Sequence, residues 1–113
     1  MVQSFQERDV DAIADLVRDD FAEEYTQSGE RIRGKHNYLS VFENIPAMPS
    51  VLDYRFTLCG DLAIAERTFE YGGNRSYNTA ISEMEDGKVK RARQCFAAPF
   101  EAPQWRARWV ERM

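Results

Sequence analysis

The sequence is poor in the residues that build metal centres, disulfide frameworks and membrane spans. It has one histidine, two cysteines and four prolines. A lone His36, with no set of closely spaced ligands, excludes the usual metal sites and implies no cofactor. It falls in the first turn of a predicted helix and reads as a solvated surface residue. Cys59 and Cys95 lack metal-ligand spacing and read as two reduced, partly buried thiols, which fits a cytoplasmic protein. No apolar run approaches the ~20 residues that span a bilayer. The opening MVQSFQERDVD has no basic region followed by an apolar core, so it is not a secretory signal. There is no basic excess either. The net charge is −4, and the run Lys88, Lys90, Arg91, Arg93 is the solvated face of a strand, so neither nucleic acid nor membrane is a predicted partner.

What is present is a core. Of 113 residues, 43% are hydrophobic and 12% aromatic, too many for a disordered chain. At this length roughly two thirds of the unfolded surface can be buried. Without a repeat or linker, residues 1–113 read as a single domain.

Asp9 is the predicted N-cap of a helix over Val10–Val17, with Ile13, Leu16 and Val17 on one face. Met1 to Arg8 read as the tail of an earlier helix with Val2 and Phe5 inward. Phe21–Gln27 is a short strand ended by Ser28-Gly29. A second helix over Lys35–Ile45 carries the apolar stripe Tyr38, Leu39, Phe42 and Ile45, stopped by Pro46 and Pro49. From Val51 onward the period changes. Val51–Cys59, Leu62–Tyr71, Ser76–Met84 and Val89–Phe96 are strands separated by the hairpin signals Gly60-Asp61, Gly72-Gly73-Asn74 and Asp86-Gly87. Helices followed by a four-strand meander predict an α+β fold with a mainly antiparallel, curved sheet and helices on its concave face. Cys59 and Cys95 would then lie three strand spacings apart, about 14 Å, beyond disulfide reach.

Strand alternation predicts which side chains face inward. A three-residue loop Glu85-Asp86-Gly87 puts Ser76, Asn78, Ala80 and Ser82 on one face with Ala92, Gln94 and Phe96, and leaves Glu83, Arg91 and Arg93 to solvent. A two-residue Asp86-Gly87 loop would instead oppose Glu85 with Lys88 and turn one strand over. On the preceding strand Arg67, Phe69 and Tyr71 face inward, with Glu66, Thr68 and Glu70 outside. An inward guanidinium is either anchored by an acid or turned to a cavity.

The order of elements, with EEYTQSGERIRG, the EMEDGKV hairpin and the tail FAAPFEAPQWRARWV, resembles the SnoaL-like branch of the nuclear transport factor 2-like superfamily from Asp9 to Trp109. The resemblance implies a cone-shaped α+β barrel with a deep apolar pocket, usually in a homodimer. Its members include ketosteroid isomerases, polyketide cyclases, limonene-type epoxide hydrolases and non-catalytic binders. They open with a long helix, for which Met1 to Arg8 offer only two turns, so a more open pocket is expected. Aligned with the isomerases, the base position falls at Tyr25 and the protonated acid at Ala80. Aligned with the epoxide hydrolases through NRSYN and AERTF, the arginine is Arg67 and the two aspartate positions are Phe69 and Gln94. None of these acid positions holds a carboxylate. Other acids open to a cyclase-like role are Asp20, Glu24 and Glu70.

The favoured expectation is therefore a small-molecule-binding protein that does not catalyse, with a pocket built from Tyr25, Arg67, Phe69, Tyr71, Asn78, Gln94 and Phe96. A divergent isomerase, cyclase or epoxide-hydrolase-like enzyme is the alternative, and a structural dimer module the third. Two surface features complete the expectation. Trp105, Trp109 and Val110 share a face of a short helix after Pro103 and should pack, on the sheet or on a partner. Tyr77, Thr79 and Ile81, beside Val89 and Cys95, form an outer strip suited to a homodimer, with Glu83, Arg91 and Arg93 available for cross-subunit pairs.

Overall fold

A computed structural model of the chain describes residues 9–113, and the expected helix tail over Met1 to Arg8 lies outside them. Asp9 accepts a hydrogen bond from the Ala12 N–H at 3.1 Å and caps α1, Val10–Leu16. The helix stops at β-branched Val17, whose backbone is already extended, and runs without a loop into β1, Val17–Tyr25. This strand starts four residues before the expected Phe21. A turn closed by the Gly29 N–H on the Tyr25 carbonyl leads to β2, Glu30–Arg33, a strand that the sequence reading missed. Only Ile32 of its four residues is buried, too little for an alternation signal.

Gly34, at φ 89°, then turns the chain into α2, Lys35–Glu43. A side chain would be strained there. The helix ends two residues short of Ile45, where the Asn44 N–H bonds the Val41 carbonyl and the Asn44 amide bonds Ser40. The four later strands are β3 (Ser50–Cys59), β4 (Leu62–Tyr71), β5 (Asn74–Glu85) and β6 (Lys88–Ala97), close to the expected spans. A 3₁₀ helix over Gln104–Trp109 follows. Among the described residues no helix is long and apolar enough to cross a membrane.

The six strands form one mixed, open sheet in the order β2-β1-β6-β5-β4-β3. The meander is antiparallel as expected, whereas β1 pairs with β6 in parallel. Register shifts in β1/β6, β3/β4 and β5/β6 bend the strands, and with α1 and α2 against the inner face they give the α+β cone. The core cluster Val17, Phe21, Val89 and Ala92 sits where Tyr38 of α2 meets the sheet, with the Phe21 and Tyr38 rings edge to face at 4.8 Å.

The β5–β6 hairpin turns through the two-residue Asp86-Gly87 loop and not the three-residue Glu85-Asp86-Gly87 loop. Glu85 opposes Lys88 across a two-residue turn in which Asp86 and Gly87 have φ of 54° and 77°, the signs a type I′ turn requires. A shift between Glu83 and Met84 then sets Ser82 opposite Ala92, Ala80 opposite Gln94 and Asn78 opposite Phe96, so the expected residues share a face although in a different register. The bulge corrects one assignment. Val89 pairs with Met84 and is buried in the core, not on the outer strip.

Two more expectations change. Cys59 and Cys95 are free but exposed rather than partly buried. Trp105 and Trp109 are 74% and 67% exposed and do not pack on the sheet. Their segment is 3₁₀, with three residues per turn, so i and i+4 no longer share a face. Each indole is instead approached by an arginine, Arg106 and Arg108 respectively.

Candidate functional site

Alanines make room above the sheet. The register sets Ala63 beside Ser82 and Ala92, and Ala65 beside Ala80, all on the concave face. Larger side chains there would fill the cone. Ile13 and Leu16 of α1, Tyr38, Val41 and Phe42 of α2, and Phe56 and Phe69 of the sheet wall a cavity of about 300 Å³. Its lining is mainly apolar, as small-molecule sites are.

One diagonal of the sheet breaks that apolar surface. Arg67 Nε donates to Asn78 Oδ1 at 2.9 Å, Asn78 Nδ2 to Gln94 Oε1 at 3.1 Å, and Gln94 Nε2 to Glu23 Oε1. The Tyr25 hydroxyl donates to Glu23 Oε2 at 2.9 Å. A guanidinium can only donate and a carboxylate can only accept. With one at each end, both amides between them have a single possible orientation. Asn78 Nδ2 also reaches the Cys95 carbonyl at 3.2 Å. Asn78 and Glu23 are 2% and 3% exposed, yet among the described residues no buried side-chain nitrogen or oxygen lacks a partner.

Burial dominates the electrostatics. It pushes the Glu23 carboxyl above the ordinary glutamate value, against the opposing pull of its Gln94 and Tyr25 donors and the Arg67 charge. The Tyr25 and Tyr38 hydroxyls are pushed far up by burial and then by the Glu23 charge, so both stay neutral donors. Burial lowers Arg67, which still remains charged at any physiological pH. No described carboxylate pairs directly with Arg67. Its partners are the Asn78 amide and the Phe69 ring, 5.2 Å from the guanidinium carbon.

Of the expected pocket residues, Tyr25, Arg67, Phe69, Tyr71, Gln94 and Phe96 border the cavity, and Asn78 lies buried beneath it in the hydrogen-bond chain. Ala80 borders it as well, so the four positions where the resemblance placed acids all face inward without one. Asp20, Glu24 and Glu70 do not line it. Asp20 is held by Arg18 at 2.9 Å, and Glu24 lies on the outer face between Arg31 and Arg91. Among the described residues, the acid in the cavity is Glu23, which the sequence reading passed over. The signal was available. With Phe21 and Tyr25 inward, alternation puts Glu23 inward and Glu24 outward.

No protein-family model and no curated protein matches the chain. Solved structures do. An NTF2-like protein of unknown function from Burkholderia xenovorans LB400 is 38% identical, with TM-score 0.89 over 98% of this chain and 88% of its own. A candidate ketosteroid isomerase from Kribbella flavida DSM 17836 is 26% identical, with TM-score 0.89 over 98% and 82%. An LEH-like epoxide hydrolase of M. tuberculosis, at 22% identity and TM-score 0.69 over 85% and 76%, shares the fold. The resemblance first seen in the EEYTQSGERIRG and EMEDGKV segments thus holds over nearly the whole length, and the chain belongs to the NTF2-like superfamily.

Proposed function

We propose that this protein binds a small, mostly apolar molecule in the cone, with the polar end of that molecule against the Arg67–Glu23 diagonal. One observation carries the reading: an apolar cavity of about 300 Å³ crossed by a single ordered line of polar side chains. Apolar walls supply affinity and a few fixed polar groups set orientation, the usual division in ligand pockets. Two free cysteines fit a reducing compartment and so a cytoplasmic setting. Native mass spectrometry of protein from its own host should show one retained ligand per chain. Ligand-free chains that also fail to take up a neutral naphthalene probe would overturn the reading.

A second reading, an acid–base enzyme, is favoured by Glu23 itself. A buried carboxyl with a raised pKa at a cavity wall is suited to moving a proton. Similarity to a candidate ketosteroid isomerase and to an LEH-like epoxide hydrolase supports this reading. Deuterium uptake from D₂O next to the carbonyl of a cyclic enone, lost in Glu23→Gln, would favour it. No uptake leaves the binding reading in place.

We propose in addition that two copies associate through the outer face. Tyr77, Thr79 and Cys95 are exposed there around half-buried Ile81, a mixed surface suited to an isologous contact. The exposed Trp105 and Trp109 would gain cover from the same partner. Light scattering that gives a monomer for the unmutated chain sinks the dimer.

A further inference from the structure

The polar diagonal has a charge at each end, and only one end has donors to spare. At the Glu23 end both carboxylate oxygens are engaged, by Gln94 and Tyr25. At the other end Arg67 commits Nε to Asn78 and one face to Phe69, while its Nη groups make no hydrogen bond to another described residue. Arg67 borders the cavity, so those donors are offered to whatever enters it. Taking the cavity as a ligand site, we propose that its ligand is an apolar monoanion, a carboxylate or sulfonate on a ring body. The anionic group docks on the Arg67 Nη groups, and Glu23 takes up one proton from solvent as it does so.

Charge count carries the coupling, in a cavity whose lining is mainly apolar. Without a ligand the diagonal is balanced, one guanidinium against one carboxylate. A second anion gives two negative charges for one positive, in surroundings where charges interact strongly. Like charges sharing a site raise the pKa of one member. A ligand sulfonate is too weak a base to take the proton and a ligand carboxylate is held ionised by the Arg67 Nη groups, so Glu23 takes it. The hydrogen-bond chain also says where the proton goes. Gln94 cannot reverse, because Asn78 and Arg67 fix its orientation. The Tyr25 hydroxyl can rotate, so the proton sits on Glu23 Oε2 and is donated to the Tyr25 oxygen. Tyr25 also borders a second, more open recess with Gln27, Ser28 and Glu30, which gives that proton a way in from solvent.

Among the described residues no other acid lines the cavity. Around Glu23 the elements contribute Tyr25 from its own strand, Tyr38 from α2, Arg67 from β4, Ala92 and Gln94 from β6, and apolar Ile13 and Leu16 from α1. From β2, Ile32 pairs with Glu23, and the exposed Glu30 pairs with Tyr25. Burial keeps both tyrosines neutral.

Two fluorescent probes of the same shape test this. N-Phenyl-1-naphthylamine is uncharged, and 8-anilinonaphthalene-1-sulfonate adds a sulfonate that stays ionised from pH 5 to pH 8. The neutral probe should bind with the same Kd throughout. The sulfonate should bind more tightly as pH falls, by up to tenfold per pH unit, the limit for one coupled proton. In Glu23→Gln the sulfonate should bind at pH 8 as it does to the unmutated chain at pH 5, with no pH slope. Arg67→Gln should weaken the sulfonate at every pH and spare the neutral probe. Should that variant not fold, the two probes on the unmutated chain still decide. Neutral binding with a flat sulfonate profile overturns the anion coupling and leaves the ligand site standing. Binding of neither probe overturns both.

Discussion

Glu23 and Glu24 are consecutive in the chain and face opposite sides of one strand. Glu23 sits in the cavity, bonded only to neutral donors, and its carboxyl is raised by burial. Glu24 sits on the outer face between two arginines, Arg31 at 2.7 Å and Arg91 at 2.9 Å, whose hydrogen bonds hold its carboxyl below the ordinary value. Residue type and sequence neighbourhood are the same, and the pleat alone separates them. The difference assigns roles. An acid held by two cations in water is a surface strut of small worth. A buried acid kept among neutral donors at the wall of an apolar cavity is poised to change its charge.

The largest effect should come from cutting the inner diagonal in the middle. Asn78→Leu removes the acceptor for Arg67 Nε and the donor for Gln94, leaving a half-buried guanidinium without its amide partner. That should cost about 3 kcal/mol in chemical denaturation. A loss below about 1 kcal/mol would mean that the diagonal does not hold the fold.

Glu23→Gln should act on pH dependence more than on stability at one pH. A carboxyl raised in the folded state contributes most at low pH, below the unfolded glutamate value. That contribution fades as pH rises through the raised folded value. The unmutated protein should therefore lose stability across that window and the glutamine variant should not. Parallel profiles would show that Glu23 is not the titrating group.

The outer face should respond differently. Ile81→Asp, on the proposed interface, should cost about 1 kcal/mol or less in the isolated chain but shift the protein to monomer at micromolar concentration. Removing Gln104–Met113 should do the same with little change in monomer unfolding, since Trp105 and Trp109 are exposed. A large drop in monomer stability would mean that the tail packs on its own sheet. Glu24→Gln should have the smallest effect, with a slight weakening confined to pH above the unfolded glutamate value and lost as pH falls through its lowered folded value.

The sequence made the meander legible because its turns carry glycine at the required places and its strands alternate cleanly. It also exposed the inward set Arg67, Asn78, Gln94 and Phe96, which the register bears out. Other features it hid, each for a physical reason. Strand β2 has one buried residue in four, and β1 begins with Val17-Arg18-Asp19-Asp20, where charge masks the strand. The bulge at Lys90 adds a residue that no local pattern announces, so Val89 was turned outward. Glu23 is masked by its neighbour Tyr25, the position that the isomerase resemblance marks, two residues along the same face. The parallel β1–β6 pairing brings the chain's first described strand beside its last, and nothing local encodes it.

The most direct test of this account is a carboxyl ¹³C NMR titration that follows Glu23 and Glu24 in the same sample. The account predicts a Glu23 midpoint above the ordinary glutamate value and a Glu24 midpoint below it, with Glu23→Gln removing only the first. Coincident midpoints, or Glu23 titrating below Glu24, would contradict it.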